Sequence, residues 1–85
     1  GNDMASTIAT TPVAQLISAD DALRVARLDA EKVYRSLSAY RIAVSLEGDG
    51  WHIDYEFKTP GIQGGGPHYL IDAATGAILM KRYDQ

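Results

Sequence analysis

The chain has 85 residues, 8 Lys+Arg against 11 Asp+Glu for a formal charge of −3, and 46% hydrophobic composition, the totals of one small domain with a single core. No basic cluster exists to neutralise phosphates, which argues against nucleic-acid binding, and no apolar run approaches the ~18 residues that a membrane span needs. With no cysteine there is neither a disulfide nor a thiolate metal site, and a domain this short buries only roughly 60% of the surface its unfolded chain exposes, so self-association is a natural aid to stability.

Residues 1–11, GNDMASTIATT, are small and polar without periodicity and read as a flexible leader, leaving 12–85 as a single domain. The opening Gly1-Asn2-Asp3 looks like the remnant of a cleaved tag joined to a sequence trimmed upstream. A removed export signal or a removed disordered leader would account for that, and a periplasmic or secreted location is the expectation over a cytoplasmic one. After a short apolar connection over 12–17, Ser18 is placed to cap a helix, with Asp20 and Asp21 in its electropositive first turn. Ala19, Leu23, Ala26, Ala30, Val33 and Leu37 recur at three and four residues with Tyr34 on the flank, which predicts a helix over 19–37 and its inward stripe. Asp20 and Arg24, Arg27 and Glu31, and Glu31 and Arg35 fall at i,i+4 and mark the solvated side.

Beyond Ser38 the period becomes two. Tyr40, Ile42, Val44 and Leu46 alternate with Arg41, Ala43, Ser45 and Glu47; then Trp51, Ile53, Tyr55 and Phe57 alternate with His52, Asp54, Glu56 and Lys58. Gly48-Asp49-Gly50 joins these strands. A turn on Asp49-Gly50 sets Arg41 opposite Lys58, whereas one on Gly48-Asp49 sets it opposite Glu56, and the attraction of opposite charges favours the second. PHYLIDA and AILMKRY form the last hairpin, with Asp72 placed to accept turn amides and Gly76 to take positive φ. Pairing Asp72 with Ala77 puts Ile71 opposite Ile78, Tyr69 opposite Met80, Leu70 opposite Leu79 and His68 opposite Lys81. The expected fold is therefore α+β: one N-terminal helix packed across a four-stranded antiparallel sheet, in the order helix then four strands.

Residues 59–76 hold five of the eight glycines. A phosphate loop would lead from them into a helix and close with a lysine, whereas Gly64-Gly65-Gly66-Pro67 runs into a strand and reads as flexible or bulged punctuation. His52, Asp54 and Glu56, with His68 on the neighbouring strand, have the donor types of a metal site or an acid–base pair. They also have the alternation of any solvated sheet face, and with no recognisable nucleophile beside a base, no catalytic, cofactor or metal residue is expected. Trp51, Tyr55 and Phe57 are assigned to the core rather than to a ligand platform.

From Ile17 onward, ADDALRVA, GDGWHIDYEF and GGGPHYLIDAATGAILMKRY resemble the bacterial immunity proteins with a nuclear-transport-factor-two-like fold. They also resemble the PepSY domain family, whose repeat ends in a strand, an Asp-x-x-Thr-Gly turn and a strand, so the expected architecture is cystatin-like or PepSY-like. The first resemblance implies a non-enzymatic protein that neutralises a bacterial toxin. The second implies inhibition or chaperoning of a peptidase, or a structural or ligand-sensing envelope domain. Neither supplies a catalytic residue or a cofactor. Both imply a binding module. Because the last hairpin is apolar on both faces while the helix can cover only one, the other face is left for the leader, a partner or a second copy. There His52, Asp54, Glu56 and His68 with Leu70 and Leu79 form the expected protein-binding surface, for a toxin, a peptidase or a second copy.

Overall fold

Ser18 caps the helix as its residue type dictates: its side chain accepts the Asp21 amide at 3.0 Å, and Asp20 and Asp21 follow in the first turn. In the computed structural model, which describes residues 15–62 and 65–84, α1 runs over Ala19–Ala30 and is followed by β1 (Tyr40–Glu47), β2 (Gly50–Phe57), β3 (Gly65–Ile71) and β4 (Ile78–Tyr83). The strands form one sheet in the order β1-β2-β3-β4, each neighbouring pair antiparallel, with α1 against β2 and β3. The expected leader 1–11 lies outside the described residues.

The helix is shorter than its apolar spacing suggests, ending at Ala30 rather than 37. Beyond it, the Lys32 amide bonds the Asp29 carbonyl and the Val33 amide the Ala30 carbonyl, the tighter i→i+3 pattern of a helix end. Ser36 Oγ then accepts the Ser38 amide, a local bond that competes with helical pairing. The inward stripe keeps the expected Ala26 and Ala30, with Leu23 packed beside them, but its first buried residue is Ala22 rather than Ala19, Val25 joins the flank, and Val33 is 52% exposed. Three alanines on one stripe let the helix backbone lie close to the sheet. Of the ion pairs expected on the outer side, Arg24 instead bonds Asp21 at 3.0 Å, one turn position nearer.

From the sheet, Ile53, Tyr55, Tyr69 and Ile71 complete the core. Each such side chain removed from water stabilises the fold by roughly 1.5–3 kcal/mol. Around them Tyr34, Tyr40, Tyr55, Tyr69 and Tyr83 meet through edge-on ring contacts, with centroids 6.1–6.5 Å apart. Trp51 has the expected phase and packs against the core, though it is not fully buried. Its indole nitrogen donates to the Ile17 carbonyl at 3.2 Å, pinning the chain that enters the helix.

The first hairpin has the charge-favoured register, with Glu47 paired to Gly50 and Arg41 to Glu56. The second differs from expectation. Asp72 accepts the Ala74 and Thr75 amides and Gly76 has φ 80°, as its turn chemistry requires, and Ile71 pairs with Ile78. A bulge then intervenes. Leu70 faces Met80, Tyr69 faces Lys81 and His68 faces Arg82, so Leu79 has no cross-strand partner. The glycine run also enters a strand through an irregularity, between Asp54 and Glu56 on β2. Gly66 has a packing reason of its own: a Cβ there would stand 2.9 Å from the Tyr55 Cβ and 3.2 Å from the Tyr40 ring.

Candidate functional site: the open sheet face

Strand alternation and the observed register decide which side chains share the uncovered face. Cross-strand partners lie on the same side of a sheet, so His52, Leu70 and Met80 form one row and Asp54, His68 and Arg82 the next, with Glu56 beside Arg41. Five of the six expected residues, His52, Asp54, Glu56, His68 and Leu70, are thus on one face. Leu79 is not part of their row; it sits in the bulge, 54% exposed, and Met80, 65% exposed, takes the place expected for it. A shallow cleft of about 380 Å³ runs over this patch, walled by His52, Asp54, His68, Leu70, Met80 and Arg82 together with Tyr69 and Lys81.

Polar contacts fix the rim. His68 Nδ1 lies 2.7 Å from an Asp54 oxygen and its Nε2 lies 2.9 Å from an Asp84 oxygen, and Arg82 holds Asp84 at 3.2 Å. Carboxylates only accept, so both contacts of His68 are hydrogen bonds when each ring nitrogen carries a proton. Burial pushes the Asp84 carboxyl up, but the bonds from His68 and Arg82 outweigh it and hold the group below the usual carboxylate range. At the β1–β2 turn, His52 Nε2 lies 2.6 Å from Asp49 and 3.7 Å from Glu47. The Asp49 bond raises the His52 pKa and the same bond lowers that of Asp49.

The donors considered for a metal are therefore divided. Asp54 and His68 bond each other, and His52 turns to Asp49 and Glu47, with which its donor atoms converge within 4.8 Å. Hydrogen bonding among exposed side chains is sufficient reason for that convergence.

A second polar centre escaped the strand and helix patterns. Asp29, near the end of α1, accepts the Tyr83 hydroxyl at 2.5 Å and the Tyr69 hydroxyl at 2.9 Å on one oxygen, and Lys81 at 3.1 Å on the other. Burial raises its pKa, yet these three donors overcompensate and the net shift is downward. Burial, then the Asp29 bond, pushes the Tyr69 hydroxyl well above the ordinary phenol range. This centre ties α1 to β3 and β4 on the covered side, and its role is to hold the helix in place. Its sequence signal, an aspartate on an otherwise apolar flank, gains meaning only once Tyr69, Lys81 and Tyr83 are known to share that side. Met80, Arg82 and Asp84 on the open face were missed for a related reason: their spacing of two is visible, but the bulge decides what they oppose.

Comparison with family models, curated proteins and solved structures returns no match to this chain. Among the described residues no helix is long and apolar enough to cross a membrane.

Proposed function

We propose that the protein is a non-enzymatic binding module that recognises another protein through its open sheet face, acting as an immunity or inhibitor protein against a bacterial toxin or peptidase. One observation carries this reading: Leu70 and the exposed Met80 form an apolar centre enclosed by His52, Asp54, His68 and Arg82. An apolar centre within a charged rim is the usual composition of a specific protein interface, where the centre supplies affinity and the rim steers approach. The acidic side chains of the first hairpin, Glu47, Asp49, Asp54 and Glu56, outnumber Arg41 and Lys58, which suits a basic partner.

Proteins encoded beside its gene are the partners to test by titration calorimetry. A complex with a neighbouring toxin or peptidase is expected, together with loss of that protein's activity. The Leu70→Ser, Met80→Ser double variant should bind at least ~10-fold more weakly while keeping its circular-dichroism spectrum. Undiminished binding by the double variant would move the interface elsewhere, and unfolding would assign Leu70 to the core.

A further inference from the structure

The two edges of the sheet are not alike. The β4 edge carries a bulge and adjacent Lys81 and Arg82, devices that discourage another strand from pairing there. The β1 edge has none: Ile42-Ala43-Val44-Ser45-Leu46 is uncharged, contains no proline and pairs with β2 without interruption. Backbone groups alternate in direction along a strand, and the Lys58 amide bonds the Ala39 carbonyl at 3.0 Å, so odd-numbered residues of this strand turn toward β2. The amides and carbonyls of Ile42, Val44 and Leu46 consequently face outward. Their side chains lie on the helix side of the sheet, yet α1 covers β2 and β3 instead, leaving Ile42 44% and Leu46 46% exposed.

We propose that β1 is a pairing edge whose partner is a second copy of this chain, joined antiparallel about a two-fold axis at Val44. In that register Val44 meets Val44 of the copy and Ile42 meets its Leu46, so the outward backbone groups of the two strands bond one another. The same register sets Arg41 opposite Glu47 at both ends of the junction. Shifting the axis by one residue one way pairs Arg41 with Ser45 and loses the charge match; shifting it the other way sets Arg41 opposite Asp49, which lies beyond the end of β1 and is already bonded to His52. On the helix side, a groove of about 420 Å³ between α1 and β1 is lined by Leu23, Ile42 and Tyr55 and edged by Asp20, Arg24 and Arg27. Leu46 of the copy arrives at its mouth beside Ile42. The junction thus completes a ladder, covers apolar area and matches charge, and it leaves the open-face patch of Leu70 and Met80 free.

Sedimentation velocity on the full chain, from micromolar to millimolar concentration, tests this. A concentration-dependent dimer is expected. Arg41→Glu and Glu47→Arg should each weaken it roughly tenfold or more, because each places like charges at both ends of the junction. An equimolar mixture of the two variants should dimerise again, since both ends are then complementary, and this recovery separates the junction from any change within one copy. Val44→Pro, which removes an outward amide donor, should leave a folded monomer. A wild-type protein that stays monomeric throughout would overturn the proposal. So would a dimer indifferent to both charge reversals, or one abolished by Met80→Ser alone.

Discussion

On the helix side of the sheet, polar groups converge on one part-buried acceptor, Asp29, beside a core of alanines, isoleucines and tyrosines. On the other side, His68 bridges two carboxylates near the surface and Leu70 lies beside a methionine that is mostly in contact with solvent. The two faces spend their polar residues differently. Asp29 fastens one element to two others, so its bonds belong to folding. The His68 bridge links neighbouring strands and the following Asp84, fixing side-chain positions on a surface already held by the sheet. Stability should therefore respond to changes on the covered face, and recognition to changes on the open one.

The sharpest break in that contrast should come from Tyr55, which is almost fully buried under the helix. Tyr55→Ala should cost ~3–5 kcal/mol, read as a fall in the urea midpoint, and for a domain of this size that is much of the total. Asp29→Ala should follow at ~2–3 kcal/mol, since it leaves two tyrosine hydroxyls without their acceptor. The pH dependence identifies the cause. Asp29 has a lowered pKa in the folded state, so its stabilisation is present above the ordinary carboxylate value of 3.8 and is lost as pH falls through the lower folded value. The stability gap between wild type and variant should thus be flat at neutral pH and close in acid; a gap unchanged by acid would mean that the aspartate's charge is immaterial. Smallest of all, Met80→Ser should shift the urea midpoint by no more than ~0.5 kcal/mol in stability, because the side chain is largely solvated. A larger loss would show that the open face belongs to the core after all.

Local chemistry was legible wherever neighbours in sequence are neighbours in space. Ser18 and Asp21, or Asp72 with the Ala74 and Thr75 amides, need only a few residues of chain to meet, and their side chains specify those turns directly. The alternation of β1 and β2 and the charges of Arg41 and Glu56 likewise specified a hairpin with one favoured pairing. Residues 31–37 show where such reading fails. Their apolar spacing continues that of the helix, but Tyr34 reaches across to the Asp84 carbonyl at 2.7 Å and the serines at 36 and 38 bond each other, contacts that a helical continuation would have to compete with.

What the sequence determined by itself was the order and kind of elements and the residues on each side of β1 and β2, because period and turn chemistry act over a few residues. Tertiary structure decided the burial of Ala22 on the helix, the assembly of Tyr69, Lys81 and Tyr83 on Asp29, and the substitution of Met80 for Leu79 opposite Leu70. Each of these depends on register between segments far apart in the chain. A single bulged residue alters every pairing beyond it, and nothing in the local pattern of β4 records where the extra residue is absorbed.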